Sequence, residues 1–281
     1  MSTGQQIIKI LAIIFAIVII VNIFGWIIFG VSTLVGVDLL TTTTREETID
    51  FTETYQQNIK RLEVETTVSQ LTIQTGEQWK VEGTNLPKQF SAKISGSILK
   101  VKEEGSKSLF QNNTQAKIVI TVPTQVALSQ IDLDVNLGNN KIENITVDKL
   151  ELNGGIGNID VDNLTVQNEI KIDGAAGKLV IKNSKLRNLD LDTGIGEVEM
   201  SAEILGNSKI DSGVGNIQLE LMGEKDQYTI TTKTGIGNMT LNEQKCLNNH
   251  IYGRGQNNIT ISGGVGNVKI KTQENSNTNQ A

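Results

Sequence analysis

A glycine returns at Gly138, Gly157, Gly177, Gly196, Gly215, Gly237 and Gly266, at intervals of 19, 20, 19, 19, 22 and 29 residues. A period near 20 residues marks a chain of repeated units, each too small to bury its own apolar face. With each glycine as station zero, apolar residues recur seven and five before it, one before it, and two and four after it. Around Gly157 these are Leu150, Leu152, Ile156, Ile159 and Val161; around Gly266 they are Ile259, Ile261, Val265, Val268 and Ile270. Ser208, Thr232 and Asn140 are polar interruptions. Spacing of two within a segment is strand alternation. Outside one leading apolar run, no 11-residue stretch carries a 3.6-residue period. The expected fold is all-β: a right-handed parallel β-solenoid of about 19–20 residues per coil, its coils stacked in chain order about 4.8 Å apart. Ile156, Ile159 and Val161 are all expected to point into the core, and the glycines to make tight corners.

The pattern extends upstream. With Ser69 as zero, Leu62, Val64, Leu71 and Ile73 fall on station, and a looser coil centres on Ser97 with Phe90, Ala92, Leu99 and Val101. Residues 59–130 therefore read as an irregular start of the solenoid, with a separate small β-domain as the alternative. Regular repeats occupy 131–271, and 272–281 read as a disordered polar tail.

Ahead of the repeats, the stretch from Ile10 to Val37 contains no charged residue. About 20 apolar residues cross a bilayer, so residues 1–37 read as one transmembrane signal-anchor, a cleaved signal peptide being the alternative. Residues 38–58 read as a polar linker. Lys9 on one side and Arg45, Glu46 and Glu47 on the other leave the flanking charges nearly tied. The large acidic β-rich part favours a cytoplasmic N-terminus and an extracellular C-terminal domain. A net charge of -6 argues against a nucleic-acid surface.

Two polar columns bear on chemistry. One residue after zero stand Asn139, Asn158, Asn216, Asn238 and Asn267, with Lys178 and Glu197 between them. Stacked asparagines are expected to bond side chain to side chain, and Lys178 to pair with Glu197 on the next coil. Four before zero stand Asp134, Asn153, Asp173, Asp192 and Asp211. Stacked carboxylates repel, so they are expected to cap the backbone N–H groups of the glycine corner, with a bound cation as the alternative. The calcium-repeat pattern fails, because Ile159 stands where an Asp is required and the period is not nine. No Gly-Lys-Ser/Thr is present, so a phosphate loop fails too. Cys246 and His250 are four apart, without a second ligand pair for zinc. Few aromatics and a single histidine argue against a glycan-active enzyme. Neither catalytic residues nor a cofactor are expected.

Glycine corners of the form G-[IV]-G-N-[IV], beginning at Gly155, Gly213, Gly235 and Gly264 behind one apolar N-terminal segment, resemble those of a bacterial "putative adhesin" family of unknown function. That family includes LiaG-like membrane-anchored proteins of Gram-positive envelope-stress operons. The resemblance spans about residues 55–272 and brings no catalytic residues. It implies an outward-facing domain and a link to envelope-stress signalling. The leading expectation is a non-enzymatic, membrane-anchored cell-surface protein, an adhesin-like binding or scaffold module. Its partners would be wall polymer or another envelope protein. An accessory regulator acting through the transmembrane helix is the alternative. The coil at Gly266 is followed by a polar tail alone, so its parallel edge is expected to be open to self-association.

Overall fold

The computed structural model describes residues 48–104 and 116–273. The described residues are all-β apart from one 3-10 turn at Lys225–Gln227. The expected anchor (1–37), the first part of the linker and residues 274–281 of the tail lie outside the described residues. The second part of the expected linker is not a spacer, because Thr48–Tyr55 form a strand whose Ile49, Phe51 and Tyr55 pack on the core. No helix among those described is long and apolar enough to cross a membrane.

The solenoid begins with β1 (Thr48–Tyr55), β2 (Arg61–Thr66), β3 (Gln70–Gly76), β4 (Trp79–Pro87), β5 (Ser91–Ser95), β6 (Ile98–Lys102) and β7 (Lys117–Pro123). β2 and β3 form one coil around Ser69. β6 lies parallel on β2 with Leu99 opposite Leu62 and Val101 opposite Val64, while β7 lies parallel on β3 with Ile118 opposite Leu71. The coil expected around Ser97 is therefore built differently. Leu99 and Val101 occupy the stations before the corner, and the stations after it fall to Ile118 and Ile120. A spacing of two fits either pair of stations, so the sequence alone left this open. Beyond this coil β5 runs antiparallel on β6, β4 antiparallel on β7, and β1 antiparallel on β4. These strands cover the parallel edge that the first coil would otherwise present.

Glu103 follows β6 and is buried. Its Oε2 accepts the N–H groups of Thr67 (2.9 Å), Val68 (3.3 Å) and Ser69 (3.2 Å). The carboxylate thus stands over the one early corner that lacks glycine. Removing the acceptor strands three donors, each a charge-assisted bond. Glu103→Ala is expected to destabilise the amino-terminal coils by about 3 kcal/mol, and Glu103→Gln, which keeps an acceptor, by about half that. Denaturant unfolding checks this; equal losses would show that packing, not charge, holds the corner.

Next come β8 (Leu128–Leu137), β9 (Asn140–Glu143), β10 (Thr146–Ile156), β11 (Ile159–Asp162), β12 (Thr165–Arg187), β13 (Leu189–Leu205), β14 (Asn207–Val214) and β15 (Ile217–Glu224). They stack in chain order and in register, so that Leu133, Leu152, Ile172, Leu191 and Ile210 form one continuous buried column. Polar interruptions of the core are bonded. Asn140 Oδ1 accepts the Leu71 N–H (3.3 Å), Ser208 Oγ accepts the Leu189 N–H (3.0 Å), and Thr232 Oγ1 donates to the Leu247 carbonyl (2.8 Å).

Chain order then breaks. The last strands are β16 (Tyr228–Lys233), β17 (Met239–Leu241), β18 (Gln244–Lys245), β19 (His250–Gly253), β20 (Asn257–Ser262) and β21 (Val268–Gln273). β20 pairs parallel with β14 on one edge and β16 on the other, and β21 likewise with β15 and β17. The coil written last is therefore inserted between the two written before it. The expected open edge at Gly266 does not exist, because both of its edges are paired. The outermost coil is the one at Gly237, and β19 and β18 close it by running antiparallel on β16 and β17. Tyr228 ties the turn between β15 and β16, its hydroxyl accepting the Gly223 N–H at 3.2 Å.

Candidate binding surface at the glycine corner

The glycine column is a backbone-to-backbone contact. Gly138, Gly157, Gly177, Gly215, Gly237 and Gly266 have φ between 138° and 147°, a conformation that side chains disfavour. A Cβ built at any of the last five, or at Gly196, would overlap the carbonyl oxygen of the glycine one coil earlier in the stack. Gly266 meets Gly215 and Gly237 meets Gly266, which is the inserted order again. The first of the column, Gly138, meets the Ser69 carbonyl, where a Cβ would stand at 2.7 Å. The recess inside this corner has a volume of about 40 Å³, room for a few waters and too small for an organic ligand.

Stations on either side of the glycine face outward. Ile156, Ile195, Val214, Val265 and Ile236 are 37, 43, 49, 47 and 74% exposed. The expected inward direction of Ile156 is thus corrected, while Ile159 and Val161 are buried. Alternation continues along a strand but not through a corner, so the residue before the turn escapes the core. Cross-coil pairing joins Leu137, Ile156, Ala176, Ile195, Val214, Val265 and Ile236 into one row running the length of the regular stack. Five of the eight exposed large hydrophobics among the described residues belong to this row, so the exposure is concentrated rather than scattered.

The asparagine column flanks the row. The N–H of Asn158 donates to Asn139 Oδ1 (3.4 Å), that of Lys178 to Asn158 Oδ1 (3.2 Å), that of Asn267 to Asn216 Oδ1 (2.9 Å) and that of Asn238 to Asn267 Oδ1 (3.1 Å). The bonds run from backbone to side chain, not side chain to side chain as expected. Each such asparagine has its oxygen locked along the stack and its amide N–H groups directed elsewhere. Lys178 meets Glu197 at 3.6 Å, yet its nearer partner is Glu199 at 2.6 Å. A ladder of the expected side-chain kind occurs at a different corner. There Asn168 donates to Asp148, and Asn258 Nδ2 donates to Asn207 Oδ1 at 3.0 Å.

The aspartate column flanks the row on the other side. No bond from Asp134, Asp173, Asp192 or Asp211 to a corner glycine N–H is present among the described residues, so the expected capping is not how they are held. Asp173 pairs with Lys171 two residues earlier on its own strand at 2.7 Å, and Asp211 pairs with Lys209 in the same way. Burial raises the Asp211 pKa, but bonds from Lys209 and Ser262 and the charges of Lys209 and Lys233 outweigh it, leaving the carboxyl below its ordinary value. Among the described residues no three of His, Cys, Asp or Glu converge as metal ligands.

The remaining candidates separate. Cys246 is buried, and that burial pushes its thiol pKa up. His250 is exposed and packs edge-on against Tyr252, ring centroids 4.7 Å apart. Trp79 is buried in β4 and offers no stacking platform to a sugar. Sequence reasoning missed the outward row, although the glycines on both sides of each Ile or Val marked it as part of a turn.

A search of solved structures finds a "putative adhesin" from Bacteroides fragilis at 17% identity and TM-score 0.44, covering 81% of this chain and 100% of that one. It also finds a "putative cell adhesion protein" from Clostridium sporogenes at 17% identity and TM-score 0.37, with the same coverages. A "putative adhesin" from Parabacteroides merdae matches at 14% identity and TM-score 0.37, covering 80% and 95%. A comparison with curated proteins returns no match. The family model of Toastrack DUF4097 matches residues 35–277, nearly the whole chain including every described repeat, and the chain belongs to that family.

Proposed function

We propose that this chain is a non-enzymatic, membrane-anchored protein of the bacterial cell surface, its N-terminus cytoplasmic and its solenoid outside as an adhesin-like binding or scaffold module. The observation that carries the reading is the unbroken apolar row on the glycine corner, flanked by polar columns: a surface made for contact and not for catalysis. The uncharged stretch from Ile10 to Val37 supplies the anchor. Fractionation and protease shaving of intact cells test the reading. The full chain should sediment with membranes, and external protease should remove the solenoid. A soluble chain, or one protected until the cells are lysed, would sink it.

A further inference from the structure

The row at the glycine corner repeats with every coil, about 4.8 Å. A partner that meets each station must share that step. An α-helix presents a turn about every 5.4 Å, so it drifts by roughly 3–4 Å over six steps. A strand laid along the row presents one face about every 6.7 Å and fails sooner. A second parallel β stack is commensurate at every station, and rows of Ile and Val at equal spacing can interdigitate as dry zippers do. We propose that the row is the contact between two copies of this chain, lying side by side with their stacks pointing the same way.

Charge selects the direction. Two two-fold arrangements bring the rows face to face. With the stacks opposed, the two-fold axis crosses the row and each aspartate column faces its own copy, placing Asp173 and Asp192 against like charge. With the stacks aligned, the axis runs along the row and the aspartate column of one copy faces the asparagine column of the other. Asn216 then meets Asp211 across the contact, and Lys178 meets Asp173. The amide N–H groups of the asparagines add donors to carboxylates whose acceptor sites Lys171 and Lys209 fill only in part. Glu197 against Asp192 is the repulsive station, and Lys178 at 3.6 Å offsets it.

Seven stations span about 29 Å. A strip of that length bounded by the two polar columns covers on the order of 500 Å² per copy, less than the roughly 800 Å² of a standard interface. The dimer is therefore weak in dilute solution and forms where the chain is concentrated.

Single cysteines at Ile156, Ile195, Val214 or Ile236 in the full chain test this under mild oxidation. The native Cys246 is buried, so the unmodified chain sets the baseline. Aligned stacks bring each station to its own counterpart, so all four variants should give disulfide dimers at least tenfold above a Gln218→Cys control on the neighbouring face. Adding Val214→Asp to the Ile195→Cys chain should cut the yield at least tenfold while leaving the melting temperature unchanged, because Val214 is exposed. Dimers at one station alone would mean opposed stacks. No dimers, yields equal to the control, or capture of a different protein would each overturn the proposal. The readout needs no assumption about the membrane, so a failure of anchoring is seen separately by fractionation.

Discussion

Gly215→Ala is expected to destabilise the distal coils by about 4 kcal/mol or more, far beyond an ordinary substitution. Gly215 has a φ of 147° and sits against the Gly196 carbonyl with no room for a methyl group. Two effects combine there. The backbone conformation disfavours any side chain, and the clash is with backbone that cannot rotate away. Relief requires the coils to separate, which breaks the pairing of β13 with β14 and of β13 with β15. Gly96→Ala is the control. Its φ of 62° is also positive, but open space surrounds it, so about 1 kcal/mol is expected. Hydrogen exchange and denaturant melts on both variants decide. If Gly215→Ala costs no more than Gly96→Ala, close backbone approach does not set the coil spacing.

Ending the chain at residue 256 should do more damage than loss of a terminal coil normally does. In a solenoid, stability is roughly a sum over neighbouring interfaces, and trimming an end removes one of them. Here the trimmed segment carries β20 and β21, which are paired on both edges. Its buried Ile259, Ile261, Val268 and Ile270 are each worth about 2–5 kcal/mol as large-to-small losses. Without them β16 to β19 have nothing to stack on. The expected result is complete loss of exchange protection from Tyr228 onward, with protection from β2 to β13 retained. A synthetic peptide of residues 257–273 added in trans should restore part of it. Protection that persists through β16 in the truncated chain would show that β16 can pair directly with β14.

Much of this architecture was legible because period-two runs and glycine spacing are direct consequences of stacked strands. Leu150, Leu152, Ile159 and Val161 stand where alternation places them. Ile156 does not, because a corner glycine near φ +143° resets which side faces the core, and a hydrophobic letter carries no direction. Coil order was hidden for a related reason. Periodicity tells each coil its register but not its neighbour. One signal was present all the same. Eight before zero, the column reads Asn188, Asn207, Thr229 and Asn258, and the asparagines become continuous only if Asn258 follows Asn207, as the bond between them now shows. The aspartate column misled because Lys171 and Lys209, two residues earlier, supply the compensation that capping was expected to give.

The inserted coil also has a consequence for how the molecule is made. A chain that emerges amino end first can add each coil to a face that is already finished, β6 and β8 to opposite edges of β2 and each later coil to the one before it, until it reaches Glu224. The next coil in the sequence has no finished face to join, since its neighbour on that side is still unsynthesised. Tyr228 to Gly253 must wait, and the final seventeen residues of the repeat region close the structure from within, as a keystone closes an arch. A product cut short between Gly253 and β20 leaves two unsealed sheet edges, one along β14 and β15 and one along β16 and β17, open to the wrong strand.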